Sequence, residues 1–468
     1  MTLDLAMSPD DRPSLNLDEG ADPAAGADLA PVEVGEGVDD GARAEATVAD
    51  HAVGGVVGGL LGERGQGGDA PTGPPPGPRG PAASRAAREL EAWGWERGWR
   101  GRDPYDALNG ARARAIGRTP LARRLVIQLA KRSPLDLSRP LGVPRGENAN
   151  TIAHVLGAYA RMDPALGIDS RARAEWAIDR LEALRCSAYE EPCWGYHFDV
   201  ETRFFFYGSE TPNVIATSFA CHGLIDAFER LGSERARALA EGAGEFLLRR
   251  IERTAGPGGG YLGYFPGDAT PIHNASMLAA SALARVTAIN GDAEAAAAAR
   301  DATGFCVAHQ REDGSWPYAE GGAGDWVDNF HTGYVLDALL RCARALEDEE
   351  ALAAWVRGLR FLRERLIDAD GAPRATDRSR HPIDGQSVAQ SIDTLATASA
   401  LEPAMLADAR RVLDFALARM RRRDGAFVYQ RHRRWVNRAP HVRWVEAPML
   451  AALVRLDEAE RRPAGRAA

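Results

Sequence analysis

Asp325, Asp328, Asn329, His331 and Tyr334 crowd into ten residues, DWVDNFHTGY. With Asp328 at the start of a helix, its carboxylate can cap free N–H groups, and His331 and Tyr334 fall three apart on one face. A histidine and a phenol so placed can pass a proton, while a neighbouring amide orients or neutralises a carboxylate. Buried polar groups are costly unless paired or used, which favours a working cluster. Smaller sets recur along the chain: His197 and Asp199 in WGYHFD, Asn213 in TPNVIA, His273–Asn274, Asp384 with Gln386, and His441, Arg443 and Glu446. Trp194, Tyr196, Tyr264, Trp316 and Trp326 accompany them. Aromatic faces beside Asn, His and Asp suit stacking on sugar rings with orientation of hydroxyls. His222, two turns down its helix, reads as a core histidine.

These residues open helices at a near-constant period. Asn148, Asn213, Asn274, Asn329, Gln386 and His441 are spaced by 65, 61, 55, 57 and 55 residues. Between them run segments with apolar residues at i, i+3, i+4 and i+7, as in ARALAEGAGEFLLRRI, which read as surface helices. The openers lead into segments apolar on nearly every side, as in NASMLAASALARV, which read as buried ones. Outer helices are expected near 119–132, 170–186, 234–252, 292–309, 350–366 and 404–421. Inner helices are expected near 148–161, 213–230, 274–290, 329–346, 386–399 and 441–455. Such pairs cannot bury their apolar faces alone and must stack. The expected fold is an all-α (α/α)6 toroid over 119–460, preceded by lead-in helices over 83–118 and a disordered acidic, Pro/Gly-rich tail over 1–82. Closure brings the openers to one mouth, over which ETRFFFYGSE within 196–211 can fold as a lid.

The composition excludes several classes. The net charge of −9 is concentrated in residues 1–50, which hold 13 acidic and 2 basic side chains, so the rest is near neutral. That gives no electrostatic case for nucleic acid. Five cysteines without a CxxC pair read as buried thiols of a reducing, cytoplasmic compartment. No apolar run approaches a membrane span. Neither metal-ligand spacing nor a nucleotide- or flavin-binding loop is present, so no metal or cofactor is expected.

The stretch ATGFCVAHQREDGSW (302–316), with Gln310, Gly314 and Trp316, resembles the QW repeat of the terpene cyclase and protein prenyltransferase α/α-toroid superfamily. The body is also similar to an uncharacterised bacterial toroid family often encoded beside polysaccharide-assembly genes. The matching stretches are WGYHFDVETRFFF, TPNVIATSFACHGLIDA, HNASMLAASALARV, HQREDGSWPYAE, WVDNFHTGY and RWVEAPML, which together span about 190–450. That resemblance implies a glycan or sugar-containing substrate and polysaccharide-assembly proteins as partners. A delta-aminolevulinate dehydratase label attached to some members does not suit this chain. That chemistry resembles a TIM barrel with a Schiff-base lysine, whereas this chain is helical and has almost no lysine.

Three readings follow. In the first, the mouth works on a uronic-acid-containing glycan by lyase or epimerase chemistry. Asn329 or Asn274 neutralises the carboxylate, and His331, His273 and Tyr334 move protons. Asp328 organises the helix start, and the polar and aromatic residues named above bind substrate. Hydrolysis is a variant, drawing on two of Asp199, Asp328, Asp393 and Glu446. In the second, the chain is terpene cyclase- or prenyltransferase-like. Against it, SIDTLA (391–396) keeps only Asp393 and Thr394 of an acidic cyclase motif. In the third, the toroid binds a glycan or protein without catalysis.

Overall fold

A computed structural model describes residues 82–117 and 119–462. The tail expected over 1–82 lies outside these residues save for Ala82. Fourteen principal helices follow in chain order. They are α1 (Ala82–Trp95), α2 (Ala111–Ile116), α3 (Pro120–Arg132), α4 (Ala149–Arg161), α5 (Ser170–Ala183), α6 (Val214–Leu231), α7 (Glu234–Arg250), α8 (His273–Asn290), α9 (Ala293–Ala308), α10 (Asn329–Leu346), α11 (Glu349–Arg365), α12 (Gly385–Ala398), α13 (Met405–Arg419) and α14 (Ala447–Arg461).

The inner helices α4, α6, α8, α10, α12 and α14 pack each on the next, and α14 returns to α4. This is the (α/α)6 toroid. Sequence dictates the two layers. In α8 every residue from His273 to Ala284 is buried, whereas α7 buries only the face holding Ala236, Leu239, Ala240, Ala243 and Phe246 to Leu248. Small residues allow close approach of the inner helices: a Cβ on Gly223 of α6 would lie 2.7 Å from the Ala153 carbonyl oxygen of α4.

One expected outer helix is misplaced. The segment near 119–132 is helical, but α3 packs on the 106–109 turn, α2 and the 200–201 strand rather than in the outer layer. The sixth outer position is filled by α1, which lies against α14. The reason is burial: α1 buries Ala83, Ala86, Ala87, Leu90 and Trp93. Leu121, Leu125 and Leu129 of α3 instead remain exposed. The first and last helices thus close the ring together.

Short connections join the C-termini of inner helices to outer ones, and long loops join outer helices to the next inner helix. The long loops carry the only strands among the described residues: hairpin β1–β2 (Val200–Glu201, Phe206–Tyr207), hairpin β3–β4 (Arg253–Gly256, Gly259–Leu262) and a three-stranded set β5–β6–β7 (Ile383–Asp384, Gln430–Arg431, Val436–Asn437). All the long loops therefore gather where the inner helices begin.

Candidate functional site

At that mouth four helices start on a side-chain cap, two of them at openers and two at the aspartate beside or near one. Asn148, Asn213, Asp328 and Asp384 accept from the backbone N–H groups of Asn150, Ala216, His331 and Gln386, satisfying donors that the helix itself leaves unpaired. Several expected substrate contacts are spent on structure instead. Asn329 is fully buried, donating to the Leu366 carbonyl at 2.9 Å and accepting from Ser391 Oγ at 3.0 Å. Trp194 and Trp316 donate their indole N–H to the carbonyls of Leu181 and Cys306. Glu446, wholly buried, accepts from the Phe427 N–H. Asn213, also wholly buried, caps α6. These five face neighbouring elements, because a residue just inside a helix start can point outward to the next unit as readily as toward the axis. Gln310 belongs with them: it donates to Ala354 O of α11 at 2.9 Å and ties adjacent outer helices.

Other expected residues do meet. His331 Nδ1 lies 2.6 Å from Asp328 Oδ2, which also accepts from Trp326 Nε1 at 3.1 Å. Trp326 stacks on Tyr318, centroids 4.5 Å apart, and Tyr318 lies 4.6 Å from the His331 ring. His273 Nε2 sits 2.7 Å from Glu320 Oε1, beside the buried Asn274. Tyr334 is 6.5 Å from His331 by ring centroids and accepts from Gln386 Nε2 at 2.6 Å. Burial raises the Tyr334 phenol, so it remains protonated and suits donation rather than proton abstraction.

The mouth is covered. Hairpin β1–β2 brings Phe204 to Tyr318 and Trp326 and Phe205 to Tyr264, while Glu201 is held by Arg123 and Arg124 of α3. Beneath lies a belt of Tyr196, Tyr207 and Tyr264, all raised by burial. Arg443 completes it, its guanidinium over Tyr196 and Phe198 and paired with buried Asp103 at 2.8 Å. Asp384 accepts from Gln430 at 2.7 Å and from Trp444 at 2.9 Å, and burial raises it. His197 Nδ1 lies 3.4 Å from Asn148 Nδ2, the cap of α4, and His441 Nδ1 lies 3.2 Å from Arg102 O. Asp199 takes the Ser209 N–H in the lid. A groove of 240 Å³ is lined by His441 together with Arg97, Arg102 and Asp136.

Below the belt, the axis holds a second polar region that helix-start reasoning missed. A cavity of about 70 Å³ is lined by His154, Phe219, His222, Tyr334, Asp337, Gln390 and Asp393, and farther down by Arg161, Asp226, Arg285, Arg341 and Arg455. Arg161 is the last residue of α4, and Arg285 reaches Glu229, half-exposed at 49%, so this end meets solvent. At about 30 Å³ of liquid per water, this enclosed space suits about two. A readable signal existed: each inner helix carries ionisable residues in its otherwise apolar middle, as in HGLIDA and LDALLR.

Electrostatics separate Asp337 from Asp393. Burial and the charge of Asp393 push Asp337 up to about 7. Its Oδ2 accepts from Gln390 Nε2 at 2.9 Å. Burial also acts on Asp393, but Arg455, 2.7 Å away, and Arg341 outweigh it and hold that carboxyl below its usual range. Burial lowers His154 to about 4 and keeps His222 neutral. Pairs of groups driven apart in this way are suited to acid–base work.

No family model matches the sequence, and no curated protein is similar to it. Solved structures share the fold. A cellobiose 2-epimerase from Bacillus thermoamylovorans aligns at TM-score 0.52 and 12% identity, covering 68% of this chain and 88% of that one. The GH76 α-mannanase BT2949 of Bacteroides thetaiotaomicron aligns at 0.53 and 14%, covering 68% and 87%. An unsaturated glucuronyl hydrolase from Bacillus sp. GL1 aligns at 0.53 and 15%, covering 80% and 96%. At these identities the likeness establishes a shared toroid, the class of architecture to which this chain belongs. These named neighbours are all carbohydrate-active enzymes.

Proposed function

We propose that the protein is a carbohydrate-active enzyme that cleaves a glycosidic bond of a sugar seated in the interior cavity. The observation that carries this reading is the pair Asp337 and Asp393, one carboxyl held protonated near neutrality and one held ionised in the same cavity. Asp337 gives its proton to the bridging oxygen as the C–O bond breaks. Asp393, fixed by Arg455, offsets the positive charge that develops on the sugar ring; water then bonds to that ring carbon and gives its proton to the Asp337 carboxylate, which restores the acid. Tyr334 and Phe219 supply the aromatic wall, 5.4 Å apart. The sugar substrates in the neighbours' names point the same way.

The mouth favours a second reading, proton abstraction at a uronosyl unit. Asp328 binds His331 Nδ1, leaving Nε2 as the base, and the side chain is 22% exposed. Tyr318 and Trp326 offer a stacking face. Its products are recognisable: abstraction followed by reprotonation takes up solvent deuterium, abstraction followed by elimination leaves an unsaturated uronosyl end, and hydrolysis does neither.

The test is turnover by the full chain on neutral and uronic oligosaccharides, with reducing ends, unsaturated ends and deuterium uptake all measured. Hydrolysis predicts new reducing ends with neither deuterium nor an unsaturated uronosyl end, and a loss of at least about 100-fold in kcat for Asp337→Asn. Deuterium uptake lost in His331→Ala but retained in Asp337→Asn would replace this reading with the second. Turnover untouched by either substitution would reject both.

A further inference from the structure

The interior cavity holds four arginines, and three are spoken for. Arg161 Nη2 lies 2.7 Å from Asp226 Oδ1, Arg285 Nη2 lies 2.9 Å from both Asp226 Oδ1 and Glu229 Oε2, and Arg455 Nε lies 2.7 Å from Asp393 Oδ1. Arg341 differs. It lines the same cavity, yet its guanidinium makes no hydrogen bond or ion pair with any described residue. Burial lowers it; Asp337 acts against that, while Arg455 and Arg285 add to it. A guanidinium presents five N–H donors in a fork that matches a carboxylate or phosphate. Those donors face the cavity with no protein acceptor, so an entering oxyanion can take them without displacing an existing pair.

We propose that Arg341 is the anchor for an oxyanion on the sugar that enters this cavity, so that the enzyme selects anionic over neutral sugars. The inference rests on the interior-site reading and adds the substrate class to it. Arg341 is four residues beyond Asp337, one turn of α10 farther from the mouth. An anion held there would direct the rest of its ring toward Asp337 and Asp393. Asp226 and Asp393 repel a second anion nearby, but their own arginine partners satisfy them. A uronate carboxylate and a sugar phosphate share the chemistry the site would recognise. They differ in charge and reach, so they are separate arms of the test.

The experiment is calorimetric titration of the full chain with glucuronic acid, glucose 6-phosphate and glucose. Wild type, Arg341→Gln and Arg341→Lys are compared, with melting temperatures measured to confirm folding. At least one anionic sugar is expected to bind tenfold or more tightly than glucose, and the tighter of the two identifies the oxyanion. Arg341→Gln should bring that ligand down to the level of glucose. Arg341→Lys should recover part of the preference, which keeps the test decisive if the Gln variant misfolds. Equal binding of all three sugars, or a preference that survives in Arg341→Gln, overturns the anion anchor but leaves the interior-site reading standing. Absence of binding by all three overturns the anchor, and interior turnover of other sugars would then show whether the reading itself survives.

Discussion

At the residue scale, position relative to the axis separates chemistry from structure more sharply than residue type does. Asn329 and Asp337 belong to the same helix, but the amide faces α12 and the Leu366 carbonyl, whereas the carboxyl faces the cavity. Glu446 shows the structural case in titratable form. Burial pushes its carboxyl up to about 8 from an ordinary value of 4.5. A raised folded value means that its contribution is fully present below about 4.5 and declines as pH rises to about 8. Glu446→Gln keeps an acceptor for the Phe427 N–H and removes the titration. In urea melts between pH 5 and 8 the wild type should therefore lose stability relative to Glu446→Gln, by at most ~1.4 kcal/mol per pH unit. Parallel curves over that range would show that Glu446 titrates normally. The sequence exposes the residue types at both sites but not their direction, since helical phase within a residue or two decides whether a side chain points to the axis or the next unit.

At the element scale, the repeating pattern in the sequence reveals the helix pairs but not which helix closes the ring. The periods of 55 to 65 residues, the all-round apolar inner helices and the helix starts at Asn148, Asn213 and Asp328 were legible because each is a local signal, whereas the fifth start was placed at Gln386 and its cap is Asp384. Closure is a long-range contact, α1 on α14, and the amphipathic pattern of PLARRLVIQLAKR resembles an outer helix closely enough to mislead. A prediction distinguishes the two roles. Leu90 is completely buried, and Leu90→Ala should cost ~2–5 kcal/mol in chemical denaturation. A loss below ~0.5 kcal/mol would mean that α1 is a dispensable lead-in. The lid is the other long-range feature: Glu201 meets Arg123 and Arg124 across some eighty residues of chain, beyond the reach of pattern reading, although ETRFFFYGSE was recognisable as a cover for the mouth.

At the scale of the molecule, the ring creates one enclosed axis from residues that no motif unites. Its upper end is filled with tyrosines and covered by the lid, and its lower part is lined with carboxyls and arginines. Among the described residues no helix is long and apolar enough to cross a membrane. The similarity to sugar-converting toroids concerns this architecture, and the account of chemistry depends on what the axis holds in this chain. That chemistry turns on Asp337, which burial and its neighbour Asp393 keep protonated near neutrality. The most direct measurement is a carboxyl-carbon NMR titration of the full chain labelled at aspartate, with Asp337 assigned by difference from Asp337→Asn. The account predicts a midpoint near 7 that falls when Asp393→Asn removes the neighbouring charge. A midpoint near the ordinary 3.8, unmoved by Asp393→Asn, would contradict it.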